Sequence, residues 1–284
     1  VRVWIDGVPV AAADARVSVF DRGFLYGDSV FETLRTYGGR AFALDEHLER
    51  LARSARLVHI ELPVPLPTLR DEIEGALVGA PSAESYVRLM LTRGVGALGL
   101  DPATAVRPLR VLIVAPLHGP GPEAYERGVA VITYATQRVG DATPAAGAKI
   151  GNYLVAVLAM QEARAHDAIE ALIVDGAGHV VEGATSNVFV VRDGLLWTPS
   201  EAEGILPGIT RRHVLHVAAR LGIEVRLAAL PKEELLAADE IFISSSLREL
   251  LPVVRLDGNT VGGGVPGPVT RRLLEAFRRH VREE

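Results

Sequence analysis

The sequence predicts an α+β protein of two domains: a smaller α/β domain over residues 1–116, a linker over 117–125 and a larger mixed α/β domain over 126–284. Three observations lead there. Segments of strand and helix periodicity alternate along the chain, with no internal repeat or heptad run. The stretch Leu117-His118-Gly119-Pro120-Gly121-Pro122 concentrates the residues that punctuate domains. The length of 284 residues and the 49% hydrophobic content suffice for two cores.

The elements follow in order. Residues 2–5 form a short strand. Residues 30–37 form a second, closed by the hairpin pair Gly38-Gly39, and a strand resumes at Phe42. Leu44, Leu48, Leu51, Ala55 and Val58 recur at helical spacing with Asp45 at the start, which predicts a helix over 44–58. Another helix covers 67–78. Strands over 85–92 and 109–115 flank a Gly-rich loop at 94–102. Beyond the linker, strands are expected at 129–133, 171–175, 180–182, 188–191 and 240–244, and helices over 153–166, 208–221 and 268–281.

Composition excludes several functions. The chain has no cysteine, which rules out disulfides, thiolate catalysis and cysteine-ligated zinc and suits a reducing cytoplasm. Its net charge is −5 and no basic run stands out, so neither nucleic acid nor an anionic membrane is an expected partner. No apolar run reaches transmembrane length. The opening Val1-Arg2-Val3-Trp4-Ile5-Asp6-Gly7 reads as a strand and turn rather than a signal peptide. The eight histidines show no metal-ligand spacing; His213 and His216 share a helix face with no evident third ligand. The loop at 94–99 matches neither a Walker nor a dinucleotide fingerprint.

The basic residues point to chemistry. Lys149 and Lys232 are the two lysines among 30 Lys and Arg residues. A Schiff base needs a primary amine, and arginine cannot supply one. Lys232, in Pro231-Lys232-Glu233-Glu234, reads as a surface charge on the first turn of a helix. Lys149 lies among small and apolar residues, Gly147-Ala148-Lys149-Ile150-Gly151, with no acid adjacent. It is a candidate nucleophile; a lysine snorkelling from a helix start is the alternative.

Other candidates are weaker one by one. Glu182 follows two β-branched residues and precedes a Gly-Ala turn, as an edge charge or a buried acceptor. The turn Leu206-Pro207-Gly208 delivers Ile209 and Thr210 to a helix start, which either binds an anion or is capped by Thr210 itself. Ser244-Ser245-Ser246 follows an apolar strand and can hold a phosphate or form an ordinary loop. Arg50 lies on the helix of Leu48 and Leu51. Arg88 alternates with apolar residues on a strand two places from Tyr86, where it either clamps a carboxylate or faces solvent.

Taken together these segments resemble the class IV aminotransferases, the fold type IV pyridoxal-phosphate enzymes. The resemblance runs nearly end to end. It covers Tyr26-Gly27-Asp28-Ser29-Val30-Phe31-Glu32-Thr33-Leu34-Arg35, His47-Leu48-Glu49-Arg50-Leu51, the Lys149 segment, Glu182-Gly183 with Ser186-Asn187, Leu206-Pro207-Gly208-Ile209-Thr210-Arg211, and Ser244 through Glu249 to Pro252-Val253. It implies a barrel-like C-terminal domain and pyridoxal 5'-phosphate as cofactor. Lys149 would form the Schiff base and move the proton at the substrate Cα. Glu182 would pair with the pyridine nitrogen and Tyr153 with the ring hydroxyl. Arg50, Ile209, Thr210 and Ser246 would hold the phosphate. Phe31, Arg35, Tyr86, Arg88 and Leu100 would line the substrate site.

The resemblance also implies a homodimer with shared active sites and ping-pong transfer between an amino acid and a 2-oxo acid such as 2-oxoglutarate. Tyr86 with Arg88, and Gly99-Leu100-Asp101-Pro102, look like the branched-chain group, which favours a branched-chain or other apolar L-amino acid. The D-amino-acid enzymes and the 4-amino-4-deoxychorismate lyases usually carry an arginine where this chain has Leu98. Thr33 and the Ser-Ser-Ser-Leu-Arg-Glu run over 244–249 depart from the branched-chain pattern and keep both as alternatives, with Arg88 or Arg22 as the carboxylate arginine of a D-specific enzyme. A cofactor-carrying protein with little turnover is the reading outside catalysis.

Overall fold

The structure, a computed structural model, describes residues 1–80, 82, 84–136 and 145–283. The chain divides into two compact units. One comprises Val1–His118 with Ala148–Tyr153, the other Gly119–Gly147 with Leu154–Glu284. The segment carrying Lys149 therefore packs in the first unit, although it follows the linker in sequence.

In the first unit, β1 (Arg2–Ile5), β2 (Val8–Val10), β3 (Ser29–Tyr37), β4 (Arg40–Ala41), β5 (Ser85–Thr92) and β6 (Leu109–Pro116) form an antiparallel sheet in the order β2-β1-β6-β5-β3-β4. The helices are α1 (Arg22–Tyr26), α2 (Leu44–Leu57) and α3 (Leu66–Leu77). The strand expected to resume at Phe42 ends at Ala41 instead. Ala43 takes a left-handed backbone (φ +51°), and the chain turns directly into α2.

Strand alternation gives this sheet two different faces. Val30, Leu34, Val87, Leu89, Leu91, Leu112 and Val114 point to one side and pack on Leu48, Leu51 and Ala55 of α2 and on Leu69 and Ile73 of α3. The register pairs Phe31 with Met90, Thr33 with Arg88 and Arg35 with Tyr86, so these six share the opposite face. That is the face on which sequence alternation sets Tyr86 and Arg88.

The second unit holds α4 (Pro122–Arg127), β7 (Val129–Ala135), α5 (Leu154–Ala165), β8 (Glu170–Val174), β9 (His179–Gly183), β10 (Asn187–Arg192), β11 (Leu195–Thr198), α6 (Ile209–Arg220), β12 (Val225–Leu227), β13 (Leu230–Pro231), α7 (Lys232–Leu236), β14 (Glu240–Ser245), β15 (Glu249–Leu256), β16 (Asn259–Thr260) and α8 (Pro268–Glu283). The strands make one mixed sheet in the order β12-β11-β10-β14-β15-β7-β8-β9-β13, with β16 beside β15. Its pairings are parallel at β11–β12, β15–β7 and β7–β8. One core contains Leu172, Val188, Ile243, Leu251 and Val253; another packs Ala159 and Ala163 of α5 against Ile132, Ala171 and Ile173. Part of the expected linker is helical, because Pro122 with its fixed φ opens α4.

Candidate active site

Lys149 is held by its backbone. Its N–H donates to Ser54 Oγ on α2 (3.1 Å), and its carbonyl accepts from Phe31 N on β3 (3.1 Å). Ile150 bridges Val30, and Gly151 N donates to Ser29 O (2.8 Å), so the segment lies along the start of β3. The side chain is thereby aimed. Nζ donates to the Tyr153 hydroxyl (3.1 Å) and lies 4.6 Å from the Phe31 ring centroid. Phe31 meets Tyr153 edge-on at 5.2 Å. The Arg88 guanidinium lies 3.8 Å from the same Phe31 ring centroid and makes no hydrogen bond or ion pair among the described residues. The first unit thus gathers an amine, a phenol and an arginine with uncommitted donors around one aromatic ring.

Arg50 lies one helical turn before Ser54. Its Nε and Nη2 both donate to the Glu32 carboxylate at 2.7 Å, and His47 Nδ1 meets the same group at 2.7 Å. Glu32, His47 and Arg50 are 0%, 1% and 5% exposed, so this is a buried charge cluster. Burial raises the Glu32 carboxyl pKa, but Arg50 and then His47 more than offset this and hold it at about 2. Burial pushes the His47 imidazole down, and Glu32 does not reverse it. Neutral His47 therefore donates from Nδ1, since a carboxylate can only accept. Of these three residues, sequence reading singles out Arg50 alone. The signal for its partners is the i, i+3 spacing of His47 and Arg50 opposite a glutamate on the core face of a strand.

These directions fix a pH dependence. A folded His47 pKa below its ordinary 6.5 gives stability that is present above 6.5 and lost as pH falls. A folded Glu32 pKa of about 2, against an ordinary 4.5, gives stability present above 4.5 and lost as pH falls toward 2. The thermal midpoint is expected to drop below pH 6.5 and more steeply below 4.5. In Glu32→Gln the lower branch flattens; an unchanged acid profile would exclude this cluster as its source.

Two other residues are already engaged. Arg22 donates from Nε to Asp28 and from its terminal nitrogens to the carbonyls of Gly99, Leu100 and Asp101. It pins the loop, which leaves it unsuited to the carboxylate role kept open for it. Within that loop Gly94 has φ +92°, and a Cβ there would lie 1.8 Å from the Arg107 carbonyl oxygen, so only glycine fits. Leu100 itself is 77% exposed. Arg35 bonds Glu84 (3.2 Å) and lies over the Tyr37 ring.

In the second unit Glu182, on β9, accepts from Leu206 N (3.0 Å), and Asn187 Nδ2 donates to Leu206 O (3.0 Å). Glu182 is half-buried and pairs with Ile173 of β8, while β13 reaches only His179 and Val180 of the same strand. The clipped turn runs into Gly208, which carries no capping side chain and whose Cβ would meet Asn187 Oδ1 at 2.0 Å. The first N–H groups of α6, at Ile209 and Thr210, are thus left without a side-chain cap from Gly208, and Ile209 and Thr210 are buried. Asn187 pairs with Ser244 in register, so the turn carrying Ser246 lies at the same end of the sheet. Lys232 opens α7 with its side chain 41% exposed, 3.8 Å from Asp257, as the surface reading expects.

The first unit carries a reactive-type lysine beside a phenol, and the second a carboxylate beside an uncapped helix start. The amino-transferase class IV family profile matches residues 29–256. A putative branched-chain-amino-acid aminotransferase of Methanocaldococcus jannaschii is 38% identical over 98% of this chain and 95% of its own. The branched-chain amino acid aminotransferase of Escherichia coli superposes with a TM-score of 0.93 at 34% identity, covering 98% of this chain and 93% of that one. A T.th. branched-chain amino acid aminotransferase, complexed with N-(5'-phosphopyridoxyl)-L-glutamate, gives 0.92 at 32%, covering 99% and 94%. A D-alanine aminotransferase of Bacillus licheniformis is 32% identical over 100% of this chain and 98% of its own. The chain belongs to the class IV aminotransferase family: it is an aminotransferase with the fold type IV architecture.

Proposed function

We propose that this aminotransferase depends on pyridoxal 5'-phosphate and transfers the amino group of a branched-chain or other apolar L-amino acid to a 2-oxo acid such as 2-oxoglutarate. The observation that carries the reading is the Lys149 amine beside Tyr153 and the uncommitted Arg88 at Phe31. The residues fit the cofactor: the uncapped start of α6 suits a phosphate, and Glu182 is a half-buried carboxylate beside it. Lys149, Tyr153, Arg50, Glu182, Ile209, Thr210 and Ser246 would hold it. When bound, its protonated ring supplies an electron sink for the bond broken at the substrate Cα.

The chain's own residues do the rest. Lys149 takes and returns the proton at Cα, and Tyr153 orients its amine. Arg88, with Tyr86 on the same face, binds the substrate carboxylate by paired hydrogen bonds. Phe31 and Leu100 would offer apolar surface to the substrate side chain. The donor product leaves before the acceptor binds, since one site serves both. We place the enzyme in the cytoplasm as a homodimer with shared active sites. Exposed Phe24, Leu98, Leu100 and Val106 supply apolar surface for a second copy, and the cysteine-free sequence suits a reducing compartment. No helix of the described residues is long and apolar enough to cross a membrane.

The test is amino transfer to 2-oxoglutarate by the cofactor-loaded protein, with L-leucine and D-alanine compared as donors. Glutamate formed from L-leucine is the expected result. Transfer from D-alanine alone would overturn the L-specific assignment, and transfer from neither would make the lyase the reaction to assay.

A further inference from the structure

Glu170 is the most deeply buried acid of the second unit that no step above uses. It opens β8 with 0% exposure, yet its carboxylate has four donors. Oε1 accepts from Ala171 N (3.0 Å). Oε2 accepts from Thr185 Oγ1 (2.6 Å), Ser186 Oγ (3.2 Å) and Arg248 Nη1 (2.7 Å). The three side-chain donors belong to two different turns. Thr185 and Ser186 lie in the β9–β10 turn, directly after Glu182-Gly183. Arg248 lies in the β14–β15 turn, two residues after Ser246.

We infer that Glu170 and Arg248 form a positioning pair that fixes the turn following Glu182 on β9 against the turn bearing Ser246, and so sets the span between the ring-nitrogen and phosphate contacts of the cofactor. The inference rests on the roles assigned above to Glu182 and Ser246.

Three further observations support a rigid tie. Gly183 has no room for a side chain, because a Cβ would lie 2.2 Å from Ser186 Oγ and 3.3 Å from Glu170 Cδ. The turn is also closed by its backbone, with Gly183 N donating to Ser186 O (2.7 Å) and Ala184 N to Ala171 O (2.8 Å). The Arg248 turn is braced from its other side. The Tyr125 hydroxyl donates to the Arg248 carbonyl (3.0 Å), and Arg278 of α8 donates twice to Glu249, at 2.9 and 2.7 Å. An acid buried this deeply is costly unless every lone pair is used, so the pair holds one arrangement of the two turns rather than many. It touches the cofactor through neither residue; it acts through the residues it places.

The experiment uses the full chain as Glu170→Gln, Arg248→Met and the double variant. It reads two quantities: the unfolding midpoint of the cofactor-free protein and the dissociation constant for pyridoxal 5'-phosphate. Each single variant should lower the midpoint, and Arg248→Met more, because it leaves a lone buried carboxylate. Each should weaken cofactor binding on the order of tenfold, as loss of a supporting shell does at other preorganised sites. The double variant removes both charges and should recover the midpoint while the binding loss persists. Recovery of both in the double variant, or unchanged binding in single variants that fold, would overturn the pair's positioning role and leave the proposed function standing. A wild-type protein that binds no pyridoxal 5'-phosphate would instead sink the functional reading, and this inference with it.

Discussion

Lys149→Ala is expected to abolish amino transfer, by on the order of 10⁴-fold or more, while leaving the fold intact. The two halves of that expectation come from different atoms of one residue. Lys149 contributes to structure through its N–H on Ser54 and its carbonyl on Phe31 N, and alanine keeps both. The side chain contributes Nζ to Tyr153 and to the face of Phe31, contacts whose loss costs little because the site is only half-buried. The unfolding midpoint should therefore move by no more than a few degrees. No other lysine can take over, since Lys232 sits on a surface turn beside Asp257. Lys149→Arg should be as inactive as Lys149→Ala, because a guanidinium keeps its proton. A folded Lys149→Ala protein with full turnover would remove Lys149 from the chemistry.

The legibility of this residue in sequence follows from chemistry that one residue type alone can do. Helix α2 was legible for a related reason: Leu44, Leu48, Leu51 and Ala55 write their buried stripe directly into the chain. Tyr86 and Arg88 were placed on one sheet face by alternation alone. Two elements escaped because their local signals conflict with their setting. Strand β15 carries Pro252, which argues against a central strand. The structure accommodates it because Pro252 pairs with Phe242 of β14 while pairing to β7 begins only at Val253, so the missing N–H is not required on that side. Pro122 read as linker punctuation opens a short helix.

Within the site, what sequence could not show is partnership across distance. Arg50 was visible, but the carboxylate that holds it is 18 residues away on a strand. Glu170 lies just before the strand expected at 171–175, and its arginine lies 78 residues further on. Glu182 looks like an edge charge until the Leu206 turn is seen crossing it. In each case the chain places a charge where the linear pattern says nothing of what will cover it.

Arg50→Met separates the two tasks of one guanidinium. Its first is structural: Nε and Nη2 both serve Glu32, which is otherwise left buried with His47 as a single partner among those described at hydrogen-bond distance. Removing one member of a buried pair costs about 3 to 5 kcal/mol, against a total domain stability of about 5 to 15 kcal/mol. The variant should thus unfold at markedly lower temperature, and addition of Glu32→Gln should recover most of the loss by removing the stranded charge. Its second task, on the proposed function, is to hold the cofactor phosphate. Loss of a hydrogen bond to a charged group is worth about 1.5 to 3 kcal/mol, which is roughly 10- to 100-fold in affinity. No neutral partner swap at Glu32 can restore that. The double variant should therefore regain stability and still release pyridoxal 5'-phosphate readily on dialysis. If it retains cofactor as the wild type does, Arg50 is a fold residue and the phosphate is held by the α6 terminus and Ser246 without it.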